Sequence, residues 1–383
     1  MEQSISAPAF WLAWSQIPGI GPVLLKRLDQ QFGSLELAWA ASPSQLAQVE
    51  GLGTVTIEKI ISAKSGINPA ALWHQHHQHN PQVWTPADPA YPQILWEIPD
   101  PPPLLYWAGS FTDWDRARAI AIVGTRESTS YGRRWARKIA QTLSENGYVI
   151  VSGLADGIDA EAHKGSLEAS GRGIAVVGTG VDRVYPSKNQ PIYQQLLQRG
   201  LVLSEYPQGT GPERSHFPQR NRIIAGLCRA TILIEAGQRS GALITAYQAN
   251  DYGREVFALP NSLDYDQSRG CLEMIQRGAQ IILGLEQLLT ALAQLPQIDP
   301  VPALAPVKKS PSRSPAGSSA DLAVDQPTQA QVLGLLNDQD LFSFDQIVDR
   351  LNLGAGEVSA ALLQLELSGL VTQHPGMRYQ RIS

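Results

Sequence analysis

From residue 119 onward the chain repeats one pattern. A short apolar run is followed by glycine, serine, proline or a carboxylate, and then by a stretch of helical length. The runs are 119–123, 148–151, 174–177, 201–203, 231–234 and 255–259, with a final one at 279–283. The first closes in Gly124-Thr125-Arg126, the second in Ser152-Gly153 and the third in Gly178-Thr179-Gly180. The fourth closes in Ser204-Glu205 and the fifth in Glu235-Ala236-Gly237. Short runs without polar alternation suit strands buried on both faces. Between the first two lies an amphipathic stretch, 131–146, with Gly147 as its stop. Together these features predict a parallel, doubly wound, Rossmann-like α/β sheet with right-handed crossovers. In such a sheet the ligand crevice lies at the carboxyl ends of the strands, where the glycines and polar residues collect.

One stretch concentrates chemistry at that end: Phe217-Pro218-Gln219-Arg220-Asn221-Arg222-Ile223-Ile224-Ala225-Gly226. Pro218 restricts the residue before it, and a helix then opens with Ile223, Ile224 and Leu227 facing inward. Arg220 and Arg222, two apart, fan out from its first turn. A helix N-terminus attracts an anion, and a planar ring beside it can stack a base. The alternative is that both arginines pair with carboxylates such as Glu205 and Glu235.

Gly124-Thr125-Arg126 lacks the dinucleotide fingerprint, since no Gly-x-Gly-x-x-Gly follows the first strand. Gly124, Thr125, Ser152, Gly153 and Gly157 make a candidate phosphate nest, with a plain strand-to-helix turn as the equal alternative. Asp156 and Asp159 then serve as caps. His163, Asp156, Asp159, Glu205 and Glu235 are acid–base candidates, yet none sits in a nucleophile elbow or at metal-ligand spacing. Glu235 is placed to orient Arg220 or Arg222, and Ser240 to cap the helix that follows it. No cofactor and no metal are expected.

The flanks divide the chain into 1–80, 81–296, 297–326 and 327–383. Residues 10–66 carry Gly19-Ile20-Gly21 and Gly51-Leu52-Gly53, each between two helical patterns. This looks like a pair of helix-hairpin-helix (SAM-like) units, which in many proteins grip a DNA phosphate through that turn; a small packing or interaction module is the slightly favoured alternative. His74, His76, His77 and His79 lack a nearby carboxylate or cysteine and read as a polar surface segment. Residues 81–118 are proline-rich but also carry Tyr91, Trp96, Tyr106 and Trp107, so they pack on the core as an extension. Residues 297–326 read as a flexible linker. Three helical patterns and a hairpin in 327–383 give the order of a winged helix.

Composition narrows the function. No run of about eighteen apolar residues offers a membrane span. The start of the chain, with Glu2, does not read as a signal peptide, and Cys228 and Cys271 suit a reducing compartment, so a cytoplasmic location is expected. A net charge of −5 argues against a bulk nucleic-acid coat and leaves room only for a local basic groove.

Six pieces occur in one order: Gly124-Thr125-Arg126, residues 152–159 with His163, Tyr185-Pro186, Ser204-Glu205, residues 217–226 and residues 235–245. That order closely resembles the DprA (Smf) family of natural transformation. The resemblance implies a non-enzymatic protein that binds and protects incoming single-stranded DNA, forms a homodimer through its core and loads the RecA recombinase. It implies a DNA pocket holding Arg126, Arg214, Phe217, Arg220, Asn221 and Arg222. The sequence departs from the family's usual pattern at Pro260-Asn261 and at Gly270-Cys271-Leu272, which bears on the loops there. A rival of another class is a nucleotide-processing enzyme cleaving an N-glycosidic bond, because the core resembles such folds too. Its Pro-Gly-Gly-x-Gly-Thr loop is missing, and no paired catalytic carboxylates are evident.

Overall fold

The computed structural model describes residues 6–110, 118–169 and 172–295, and within the C-terminal part 327–336, 342–351 and shorter stretches between 353 and 381. Two compact units divide the chain, residues 1–303 and 304–383. The 297–326 segment expected as a linker lies outside the described residues.

The first unit is built on a nine-stranded sheet. Its strands are β1 (Val83–Trp84), β2 (Leu105–Gly109), β3 (Ala119–Val123), β4 (Val149–Ser152) and β5 (Gly173–Val177). They continue with β6 (Leu201–Ser204), β7 (Ala230–Leu233), β8 (Glu255–Ala258) and β9 (Gln280–Ile281). The order across the sheet is β1-β2-β6-β5-β4-β3-β7-β8-β9. Strands β3 to β9 pair in parallel, as the apolar runs predict. Period-two alternation splits each strand between two cores. Ala119, Ala121 and Val123 face one helical layer, and Ile120 and Ile122 face the other.

The proline-rich segment packs on the core as expected and also adds two strands, β1 and β2, that the sequence did not reveal. Both pair antiparallel, β2 against the free edge of β6 and β1 against β2. Trp84 and Trp107 stack on neighbouring strands, their centroids 5.3 Å apart. Further along, Leu95 and Ile98 press onto Gly226 of the His216–Leu227 helix, where a Cβ would come within 2.9 Å of either side chain. Glycine at 226 is therefore required by close approach.

The N-terminal module places helices Pro22–Phe32 and Thr54–Gly66 after its two glycine turns. Gly19 and Gly51 sit at φ 92° and 89°, which an L side chain rarely adopts. Lys26 and Arg27 follow the first turn, but neither is free. Lys26 Nζ donates to the carbonyls of Trp96 (2.7 Å) and Ile98 (2.8 Å), tying the module to the sheet domain. Arg27 Nη1 donates to the Glu50 carbonyl at 3.0 Å. The histidine segment is the Pro69–His79 helix, and the His76 ring bonds the Tyr106 hydroxyl at 2.9 Å.

In the second unit, strands Phe342–Ser343, Val371–His374 and Arg378–Arg381 form an antiparallel sheet with the third in the middle. Helices Pro327–Leu335 and Phe344–Leu351 accompany it. Val358, Ala361, Leu362 and Leu365 are buried at helical spacing, as the third helical pattern predicts. This is the winged-helix arrangement. Among the described residues, no helix is long and apolar enough to cross a membrane.

Candidate nucleic-acid interface

The chain leaves β3 toward β4, β5 and β6 on one side and returns to β7 on the other. The topological switch point therefore lies between β3 and β7, and a groove of about 960 Å³ opens there. Gly124, Thr125 and Arg126 reach it from the end of β3, and Gly237, Arg239 and Ser240 from beyond the end of β7. Phe217, Arg220 and Asn221 enter from the His216–Leu227 helix, and Arg214 from the turn before it.

Phe217 is the groove's aromatic platform. Its ring packs so close to Gly178 that a Cβ there would lie 3.1 Å from it. Tyr185 stands beside it with centroids 5.5 Å apart, and the Arg126 guanidinium lies over it at 5.2 Å. Arg126, Arg214 and Arg239 are exposed and have no ion pair among the described residues. Glu127, Asp159 and Asp266 also line the groove, so its basic character comes from a few cations set against some negative charge.

Arg220 is only 4% exposed, so it does not fan out into solvent as the two-residue spacing predicts. Its Nη1 donates to the Gly153 carbonyl at 2.7 Å and to the Val176 carbonyl, and its Nε to Asn221 Oδ1 at 3.0 Å. Burial pulls its pKa down to about 10, against the charge of Asp159, so it remains a cation at neutral pH. Arg220 thus forms part of the groove floor. Asn221 is turned the other way as well, its Nδ2 donating to the Gly241 carbonyl at 3.2 Å.

The glycine turn after β4 does not present an open nest. Asp159 is buried there and accepts from the backbone N–H groups of Ala155, at 3.4 Å, and Gly153. Burial raises its pKa, and Arg220 and the two N–H groups oppose the rise. The donors meant for a phosphate are met by the chain's own carboxylate. Gly157, at φ 74°, is required because a Cβ would lie 2.4 Å from the Thr125 carbonyl. Ser152 is fully buried, its hydroxyl donating to the Ile122 carbonyl at 2.7 Å. Thr125 N–H donates to the Glu235 carbonyl at 2.7 Å. Of the five nest residues, Gly124, Thr125 and Gly153 border open space, and Ser152 and Gly157 serve the turn.

Arg222 is not brought into the groove. At 6% exposure its Nη2 meets Glu205 Oε1 at 2.5 Å, and its Nε meets Asp100 Oδ2 at 3.1 Å. Burial works against its charge, but the two carboxylates outweigh it and raise its pKa. Asp100 belongs to the proline-rich segment, whose docking on this helix supplies the second partner. Glu235 does not orient either arginine, contrary to expectation. Its carboxylate accepts from Thr129 N–H (2.9 Å) and the Thr129 hydroxyl (2.5 Å), buttressing the start of the Ser130–Glu145 helix. Gly132 makes room for it, since a Cβ there would lie 2.2 Å from Glu235 Oε2. His163 is fully buried with its pKa held down to about 3, chiefly by burial. Among the acid–base candidates, then, Asp159, Glu205 and Glu235 all carry structural hydrogen bonds or ion pairs. No group of three or more His, Cys, Asp or Glu among the described residues is arranged to hold a metal.

Sequence reasoning missed Arg239. The signal was available, because Arg239 follows the fifth apolar run and precedes the capping Ser240, but a lone arginine among polar residues carries no pattern. At the two departures from the family pattern, Asn261 Nδ2 reaches Glu235 Oε1 at 3.4 Å. Cys271 is fully buried, and Gly270 approaches the Ala236 carbonyl so closely that a Cβ would lie 2.7 Å from it.

Residues 82–293 match the model of the DNA recombination-mediator protein A family, residues 313–377 the DprA winged helix domain and residues 14–63 a SAM-like helix-hairpin-helix tandem. Protein Smf of Synechocystis sp. is 48% identical across 98% of this chain and 99% of its own. A solved structure of DNA processing protein A from Streptococcus pneumoniae aligns with a TM-score of 0.64 at 35% identity, covering 75% of this chain and 98% of that one. Another, concerning the single-stranded DNA binding mode of DNA processing protein A from Helicobacter pylori, aligns with a TM-score of 0.51 at 32% identity. It covers 55% of this chain and 96% of that one.

Proposed function

The chain belongs to the DNA recombination-mediator protein A (DprA, or Smf) family, and from that membership we propose that it binds single-stranded DNA in the β3/β7 groove. One observation carries the reading. Three arginines without carboxylate partners among the described residues, Arg126, Arg214 and Arg239, line one groove with the aromatic ring of Phe217 at the switch point. The arginines neutralise phosphates and Phe217 stacks a base, a pairing that tolerates any sequence. Arg220 adds a fixed positive charge to the floor, and Asn221 holds that floor against the Gly241 backbone. Arg222 acts by fixing the helix to the proline-rich segment.

The protein acts without catalysis, protecting incoming strands in natural transformation and handing them to the RecA recombinase in the cytoplasm. The family's description as a recombination mediator supports that role. It works as a homodimer through its sheet domain. Edge strand β9 and the loop after β8 support this, because Leu263 (77% exposed), Tyr265, Ile281 and Leu283 (75%) present apolar side chains to solvent. The test is a titration against labelled single-stranded DNA with nucleotide hydrolysis followed alongside. Saturable binding of unrelated sequences without hydrolysis supports the reading. Turnover of a nucleotide would favour the N-glycosidic enzyme instead.

A further inference from the structure

The Ser130–Glu145 helix begins just beyond the Arg126 turn that lines the groove, and it carries an unusual charge pattern. Arg133, Arg134, Arg137 and Lys138 fall within its first nine residues. A helix N-terminus is the positive end of the macrodipole, where cations are disfavoured and carboxylates favoured. This first turn holds no acidic residue and the last turn no basic one, so the charges oppose the dipole at both ends. Helix stability does not explain the arrangement.

Ion pairing explains only one of the four. Arg137 is engaged by Glu168 and Glu161. Arg133, Arg134 and Lys138 are exposed and have no ion pair among the described residues. Two of them lie over aromatic rings. The Arg134 guanidinium sits 5.7 Å from the Tyr131 centroid and Lys138 Nζ 5.4 Å from that of Trp135. Residues 131, 134, 135 and 138 share one helical stripe, so ring and cation alternate along it. Tyr131 is held by a bond from its hydroxyl to the Pro260 carbonyl at 3.0 Å, and both rings are half-buried against the core. The stripe is therefore a fixed aromatic platform with exposed cations over it.

We propose that this stripe, with the exposed Arg133 beside it, is a second track for single-stranded DNA, along which the strand continues after leaving the groove past Arg126. Charge complementarity and continuity with the groove point to that occupant. On a chain of net charge −5, a cluster of unpaired cations beside a basic groove attracts the next phosphates of the same strand. The track rests on the single-stranded DNA reading of the groove.

The experiment compares a short oligonucleotide of about 4 nucleotides, which fills the groove alone, with one of about 20 that also covers the stripe. The variants are R133Q/R134Q/K138Q, the charge-conserving R133K/R134K/K138R, and F217L as a groove control. Thermal unfolding confirms that each is folded. The expected result is that the glutamine variant binds the long oligonucleotide roughly tenfold more weakly, with the log–log salt slope flatter by about 2. Its affinity for the short one is unchanged, and the charge-conserving variant matches the parent on both. F217L weakens both lengths. If the glutamine variant binds the long oligonucleotide as the parent does, or loses both lengths alike, the track is overturned while the groove stands. If the parent binds neither length, the groove reading fails and the track with it.

Discussion

Two regions of this molecule place cations beside glycine turns, and only one of them leaves those cations free. In the N-terminal module Lys26 and Arg27 follow a Gly-x-Gly turn that has the look of a phosphate grip. Yet Lys26 is spent on three carbonyls of the proline-rich segment and Arg27 on the Glu50 carbonyl. In the β3/β7 groove Arg126, Arg214 and Arg239 follow strand ends or precede a helix and meet no carboxylate among the described residues. Local sequence is alike in the two places. Availability is decided by what the rest of the fold brings within about 3 Å, and by whether backbone carbonyls have already claimed the charge. A cation is a ligand-binding candidate only after that accounting.

The comparison is tested most severely inside the His216–Leu227 helix itself, where Arg222 is spent and Arg126 across the groove is free. Arg222→Ala leaves Glu205 and Asp100 without their shared partner, Glu205 largely buried, and should destabilise the fold by about 3–5 kcal/mol. Chemical denaturation reads this directly. Arg126→Ala removes an exposed side chain and should leave the denaturation midpoint nearly unchanged. Equal midpoints for the two variants would break the distinction between spent and free arginines.

Next in size is the platform. Phe217→Leu keeps apolar volume and removes the flat π-face, so single-stranded DNA binding should weaken by about 1–3 kcal/mol with little change in salt slope. Fluorescence titration at several salt concentrations separates these two readings. A folded variant with parent affinity would make Phe217 a packing residue against Gly178 and nothing more.

The free arginines should each act more gently and in a different coordinate. Arg126→Ala, Arg214→Ala and Arg239→Ala should each flatten the log–log salt slope by about 0.7, independently of DNA sequence. Arg222→Ala, if it is folded enough to titrate, should leave the slope alone. A slope change on losing Arg222 but none on losing Arg239 would reverse the assignment made from burial.

How much of this was legible in the sequence follows the same division. The seven parallel strands were, because apolar runs closed by glycine, serine, proline or a carboxylate leave little else to build, and their ends agree with the structure to within a residue or two. Strands β1 and β2 were not. Prolines surround them, β1 is two residues long, and their pairing depends on the edge of β6 rather than on any pattern of their own. Phe217 and Arg220 could be picked out at the start of a helix, and so could the alternative that an arginine pairs with Glu205. Which arginine does so could not be read, because Asp100 arrives from a segment some 120 positions away in sequence. Glu235 illustrates the same limit. It stands at a strand end as expected, but Gly132 opens a space beside it and Thr129 takes the carboxylate.

The smallest expected effect is none at all, from removing the C-terminal winged helix. A winged helix that reads duplex DNA sets its third helix in the major groove, with basic and amide side chains outward. Residues 357–367 offer Glu357, Ser359, Gln364 and Glu366, and no lysine or arginine. Across 327–383 six carboxylates stand against three arginines, Arg350, Arg378 and Arg381. Arg350 also lies over the Phe342 ring at 5.1 Å. Such a net negative charge opposes phosphates at low salt, where attraction would matter most. A protein-binding or regulatory role suits it better. A chain ending near Gln297 should therefore keep the affinity and salt slope of the full-length protein for single-stranded DNA. Loss of most of that affinity from a well-folded truncation would mean that the cations of the groove are not enough, and that the acidic module holds the strand by a means its charge opposes.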